Sequence, residues 1–326
     1  MAMVDPFTPS AFQLTELTAS INNLKYRPSR LSGFFEERGV AALSVVVEEQ
    51  NGVLSILETR PRGAPGQPMG RDDRKVRSFA IPHIPVQGQI LADEVQGVRA
   101  FGSENSSDVL AMRLSEKLQF MRDSLDYTLE SHRLQAIMGN YIDVNGDAQS
   151  LFTAFGVNQQ TQALGLHATN RSQIRQKMFA VNGKVATALD GTPYSGMTVL
   201  CGDNFWSALL DDADTRNTYL NQAQAADLRG NPSDRFTAFG AMWEWYRGTT
   251  AANLGSDAYV IPAGVPGLCI TRFAPANYVE TVNTMGLPLY AKSEPLPLGK
   301  GYRLEAQSNP LNLVTRPAAM IKLTIS

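Results

Sequence analysis

Apolar positions between residues 106 and 138 recur as Leu110, Leu114, Leu118, Met121, Leu125 and Leu129, in steps of four, four, three, four and four. That spacing makes one stripe at the helical period and predicts a single helix over 106–138. Ser106 or Ser107 can cap its start, Asp108 suits the positive end of the dipole, and Gly139 stands where a left-handed residue ends a helix. A helix of that length reaches roughly 48 Å. One stripe without sustained heptads marks a strut lying on a sheet rather than a coiled-coil arm. Arg122–Asp126 and Glu130–Arg133 are expected as surface pairs on it, and His132 has a structural setting.

Elsewhere the pattern changes to runs with strand character. Residues 40–60 place two β-rich runs around Gln50-Asn51-Gly52, the strongest short hairpin signal. Residues 140–155 predict a second hairpin that turns at Asn145-Gly146. Residues 171–189 read as an amphipathic helix that Asn182-Gly183 can bend or break, and 198–201 as a short buried strand. Asp203 is placed to cap a helix from Asn204, while 235–247, 258–273 and 287–326 read as strands with loops. Strands, one long helix, a mixed region and terminal strands make an α+β fold, not a regular βαβ series.

Two segments fit no core of their own. Residues 1–37 carry the apolar islands Ile21, Leu24, Leu31, Phe34 and Phe35 without a sustained period, so they read as an arm lying against another surface. Residues 61–77 are rich in proline and glycine and read as an exposed tip. Arg62, Arg71, Arg74, Lys75 and Arg77, against Asp72 and Asp73, make that tip locally basic. It is either a solvated loop or a finger that docks on an acidic partner surface.

The composition, 43% hydrophobic and 18% charged over 326 residues, excludes a disordered chain and fits two domains or one elaborate one. No apolar run is long enough to span a bilayer, and the start MAMVDPFTPSAFQL lacks the basic and apolar regions of a secretion signal. With 29 basic and 31 acidic residues the net charge is −2, without the basic excess of a protein that grips nucleic acid. Cys201 and Cys269 lie in apolar runs and read as core residues rather than a disulfide pair or nucleophiles.

Motifs for chemistry are few. No G-x-G-x-x-G occurs, and Gly183-Lys184 and Gly299-Lys300 lack the rest of a phosphate loop. Ser195 lacks the first glycine of a nucleophile elbow. Asp211, Asp212 and Asp214 form the tightest acidic cluster, but Arg216 and Asn217 stand where a calcium loop needs an oxygen ligand and a glycine, so a solvated helix face is expected. Trp243, Trp245 and Tyr246 are expected in a core or subunit contact. No catalytic, cofactor or metal residue is assigned, and a non-enzyme is expected. An arm, a finger and a strut suit large obligate interfaces between copies in closed symmetry.

The stretches FFEERGVAALSVVVEEQNGVLSILETRPRGAPG, RSFAIPHIPVQGQILADEVQGVRAFG and SSDVLAMRLSEKLQFMRDSLDYTLESHRLQAIMGNYIDVNG carry a resemblance. Their ordered series IPHI, DEVQGVRAFG, LDYTLE and DVNGD resembles the lambda-like major capsid protein E family of tailed bacteriophages, with order and spacing agreeing over residues 28–157 and more loosely beyond. The resemblance implies the fold of tailed-phage capsid proteins and encapsulins. It implies an N-terminal arm at 1–37, an extended loop at 38–90, a peripheral domain at 91–165 with its spine helix at 106–138, an axial domain at 166–295, and terminal strands at 296–326 returning to the peripheral domain.

It also implies hexamers and pentamers of an icosahedral shell around double-stranded DNA, with portal, scaffold and decoration proteins as partners, in a virion made in the bacterial host cytoplasm. Arg62, Arg71, Arg74, Lys75, Arg77, Phe34 and Phe35 are the expected docking residues between subunits, with Asp211, Asp212 and Asp214 as one acidic target. An encapsulin-type compartment shell and a soluble α+β metabolic enzyme stand as alternatives.

Overall fold

A computed structural model describes residues 14–23, 30–50, 74–95, 106–166, 173–220, 234–247 and 253–326. The described chain opens with α1 (Leu14–Asn23), followed by β1 (Glu36–Gly39), β2 (Ser44–Gln50), β3 (Arg74–Ala80), β4 (Ile84–Leu91) and the single turn α2 (Ala92–Val95). The long helix α3 (Ser106–Ile137) leads to β5 (Asn140–Ile142), β6 (Ala148–Ser150), α4 (Leu151–Phe155) and β7 (Thr161–Ala163). Next come α5 (Ile174–Ala188), β8 (Gly196–Cys201), α6 (Asp203–Asp211), α7 (Ala213–Leu220), β9 (Arg235–Ala238), β10 (Ala241–Trp245), β11 (Asp257–Ala263) and β12 (Cys269–Phe273). β13 (Tyr290–Pro295), β14 (Gly301–Ser308), β15 (Pro310–Val314) and β16 (Ile321–Thr324) close the order.

The larger core is built on a mixed six-stranded sheet in the order β7-β16-β11-β8-β10-β9. β8 and β11 lie inside it, and their near-continuous apolar runs are buried throughout apart from their ends, as strands covered on both faces should be. Met178, Val181 and Val185 of α5 and Phe205, Trp206 and Leu209 of α6 join the same cluster, with Trp243 fully buried on β10. A second core forms where α1 and the first half of α3 meet the sheet β13-β14-β4. β4 is an edge strand there, which is where Pro85 is tolerated. Gly88 on β4 lets Met121 of α3 approach, since a Cβ there would stand 2.5 Å from the Met121 methyl group.

The long helix forms as its stripe predicts and ends at Gly139, whose φ is +92°. Leu110, Leu118, Met121 and Leu125 are buried in the second core, while Leu114 and Leu129 are half-buried. Leu134 and Ile137 enter the first core, so one rod belongs to both. The hairpin at Asn145-Gly146 is present, pairing Asn140 with Ser150 and Ile142 with Ala148. The Asp143 carboxylate accepts the N–H groups of Asn145 (2.8 Å) and Asp147 (3.0 Å), and Gly146 supplies a φ of +86°.

Several expectations are corrected. The arm contains a helix: α1 buries Leu17 and Ile21 in the second core, and Asn22 donates to the Leu289 carbonyl at 3.0 Å. Its described part therefore rests on its own chain. β2 pairs with β3, Gln50 facing Arg74, and the Asn51-Gly52 turn lies outside the described residues. Arg74, Lys75 and Arg77 thus stand on a strand, not in a loop tip. The second hairpin stops at Ser150, whose hydroxyl accepts from Thr153 N–H and starts α4 where a strand was expected. Gly202, not Asp203, is the cap residue of α6, and Asp203 instead accepts from the Trp245 indole at 2.7 Å. Asn182-Gly183 lies inside an unbroken α5. Within 296–326, β14 and β15 pack against α3, whereas β16 inserts between β7 and β11 of the six-stranded sheet.

Candidate assembly surfaces

α3 passes from one core to the other between residues 122 and 133, and four ionisable side chains line that crossing. Arg122 and Asp126, expected at the surface, are buried. The Arg122 guanidinium donates to the carbonyls of Ile21 (2.5 Å) and Asn22 (2.8 Å) and lies 3.4 Å from the Asp126 carboxylate. Burial lifts the Asp126 pKa above the usual carboxylate range, against the pull of Arg122. Glu130 does not pair with Arg133; it accepts from Leu31 N–H (3.1 Å) and the Tyr246 hydroxyl (3.3 Å). Arg133, 1% exposed, reaches Glu37 at 2.5 Å and lies over the Phe35 ring. Arg30 forms a two-pronged pair with Glu244 on β10, one arm at 2.6 Å. These contacts clamp residues 30–37 between α3 and the larger core.

The expected docking residues divide accordingly. Phe35 is buried, and Phe34 packs against the first core with the Arg30 guanidinium 4.9 Å from its ring centre. Arg77 lies 4.9 Å over the Phe155 ring and donates to the Phe155 carbonyl at 3.1 Å. All three are engaged within the subunit. Arg74 and Lys75 open β3, and Arg62 and Arg71 lie outside the described residues. The acidic cluster is not a bare solvated face: Asp212 is buried and accepts the N–H groups of Asp214 (2.9 Å) and Thr215 (3.3 Å) at the start of α7, while Asp214 accepts from Gln173 N–H at 2.9 Å. Among the described residues no group of three His, Cys, Asp or Glu is placed to hold a metal ion, and no helix is long and apolar enough to cross a membrane. Cys201 and Cys269 are buried, and burial pushes the Cys269 thiol pKa up to about 12.

Apolar surface is the remaining feature. The ribbon β2–β3 turns Val45, Val47 and Phe79 toward the core and leaves Val46 and Val76 exposed on its other face. At the ribbon base a groove of about 540 Å³ opens, lined by Leu43, Ile81, Val144, Ala276, Tyr278 and Val282. Val279 beside it is 88% exposed. At the turn between β13 and β14, Leu298 is 90% exposed with a φ of +63°. Periodicity could not single out Leu298, because it lies in a turn; an apolar residue among Pro and Gly is its only signal.

Comparison with known proteins agrees with this architecture. The sequence pattern of the family described as phage major capsid protein E matches residues 13–325. The major capsid protein of Pseudomonas phage KPP10 is 26% identical, over 97% of this chain and 98% of its own. That of Salmonella phage Felix O1 is 22% identical over 96% of each. Among solved structures, the capsid of an empty GTA particle superposes with a TM-score of 0.57 over 99% of this chain and 96% of its own, at 14% identity. The putative capsid protein of an Escherichia coli CFT073 prophage gives 0.57 over 94% and 97%, at 12% identity. A fold with a long helix shared by two cores, and a family pattern running almost end to end, together place this chain in the phage major capsid protein E family.

Proposed function

We propose that this chain is the repeating coat subunit of a tailed-phage head, assembling as hexamers and pentamers into a closed shell that encloses double-stranded DNA. The observation that carries this reading is the family match over 13–325. The structure supports it by what it leaves uncovered: each copy folds around its own cores yet presents two exposed valines on the ribbon, a groove and a projecting Leu298. The net charge of −2 suits a container that confines DNA without gripping its phosphates. Many modest contacts repeated over a closed shell give a stability that no single interface supplies. In the same reading, residues 62–70, which lie outside the described residues, engage neighbouring copies, and portal, scaffold and decoration proteins are the further partners.

The test is assembly of the purified chain, alone and with its phage's scaffold protein. Negative-stain microscopy and sedimentation are expected to show closed particles of uniform size. A chain that stays monomeric or stops at a small oligomer under both conditions, at high concentration, overturns the proposal.

A further inference from the structure

The turn Pro297–Gly299 and the groove at the ribbon base lie beyond opposite ends of the same strand. β14 pairs with β4 from Gly301 opposite Leu91 to Ser308 opposite Ile84. The turn precedes Gly301, while the groove lining includes His83 and Asn309, just past the other end. Seven strand steps separate those ends, roughly 23 Å. A rigid sheet therefore keeps a subunit's own turn out of its own groove.

The turn has two independent oddities. Leu298 is 90% exposed, and it holds a φ of +63°, a region that leucine avoids and glycine enters freely. The turn is nevertheless fixed, by Leu296 N–H to Gly301 O (2.8 Å) and Gly299 N–H to Leu296 O (3.3 Å). Backbone strain of this kind persists where the surrounding structure over-determines it, and here those hydrogen bonds hold Leu298 outward. The groove offers matching chemistry. Its walls carry Leu43, Ile81, Val144, Ala276 and Val282, and open apolar surface continues onto Val279. Charge is compatible: Lys300 is the only ionisable residue of 296–300, with exposed Asp93 close by, whereas the carboxylate-bearing Asp143 adjoins the lining residue Val144, and Glu280, next to the lining residue Thr281, is paired with Lys292. Backbone hydrogen bonds hold the Asp143 carboxylate below its usual pKa, so it stays ionised.

We propose that Leu298 of one copy seats in the groove between the ribbon base and the 274–283 loop of a second copy of this chain. The contact is head-to-tail, because knob and groove are different surfaces, and repetition of such a contact generates a ring when the rotation closes. It rests on the reading of the chain as a shell subunit and names one contact within that assembly.

The experiment uses the full chain and two single substitutions, Leu298→Cys and Val282→Cys. The native Cys201 and Cys269 are buried and do not compete under native conditions. Particles co-assembled from both variants are oxidised and run on a non-reducing gel. A disulfide-linked dimer is expected in the mixed particles and not in particles of either variant alone. Particles that form normally yet give no mixed dimer overturn the contact, including the case in which a different protein fills the groove. If the unsubstituted chain forms no particle, the shell reading falls and the contact with it. A second variant separates folding from docking: Leu298→Gly removes the knob at a φ that glycine accepts. It is expected to melt no lower than wild type as a subunit while particle yield falls at least tenfold. Wild-type yield overturns the proposal.

Discussion

Arg133 sits at 1% exposure on α3, one helical turn from buried Ile137, and Glu37 supplies it a carboxylate. A charge taken that far from water must be met, and losing a charged hydrogen-bond partner costs more than a neutral one contributes. Glu37→Ala is therefore expected to lower subunit stability by about 2–3 kcal/mol in urea unfolding. Two aspartates are expected to respond to pH in opposite directions. Burial raises the folded-state pKa of Asp126, so its contribution is fully present below the ordinary carboxylate pKa and lost as pH rises through the raised value. Asp126→Asn is expected to be at least as stable as wild type at pH 7, with the advantage shrinking toward pH 4. Hydrogen bonds from Asp147 and Asn145 lower the folded-state pKa of Asp143, so its contribution is present above the ordinary value and lost as pH falls through the lowered one. Asp143→Ala is expected to melt below wild type at pH 7, and the gap should narrow in acid. Melting curves of both variants between pH 7 and pH 3.5 check the pair.

At the scale of elements, the end of α3 is the sharpest case. Gly139 takes a φ of +92°, and a Cβ there would stand 2.0 Å from the Phe152 ring. Gly139→Ala is expected to cost about 2–3 kcal/mol, since backbone strain and a clash with a packed ring add. Leu118→Asp should cost several kcal/mol by placing an unpaired carboxylate in the second core. Thermal unfolding reads both.

How far an element could be foreseen follows from how often its pattern repeats. α3 was legible because six apolar residues keep one face over many turns, and the turn at Asn145-Gly146 because few residue pairs accept its backbone. α1 was hidden because ten residues allow only Leu17 and Ile21 to reach full burial, too few to register as a period. The pairing of β2 with β3 could not be read locally, because it is set by distant packing: Phe79 of β3 meets Tyr141 and Phe155, and nothing near Ser44–Gln50 signals that. Charge pairing misled for the same reason. Residues three or four apart on a helix read as solvated until neighbouring segments, here 14–23 and 30–37, cover them.

For the whole molecule, the described part of the arm bears on how much of a subunit depends on its neighbours. Described residues 14–23 and 30–37 complete both cores of their own chain, so a lone copy is a folded body. Among the described residues the exposed apolar surface is scattered: Val46 and Val76 on the ribbon, the groove rim and Leu298, and also Phe120, Phe179 and Met285. Deleting residues 62–70 is accordingly expected to leave folding intact, with an unchanged circular-dichroism spectrum, while particle counts by microscopy fall steeply. Normal counts would refute a role for that tip. The cores are also not independent. Because α3 is embedded in both, neither body can tilt against the other without dragging the rod through packed side chains, and the buried ionic cluster at its waist resists that slide. A torque applied where the helix meets the Leu298-bearing sheet is thus delivered, like force along a lever, to the sheet at its far end.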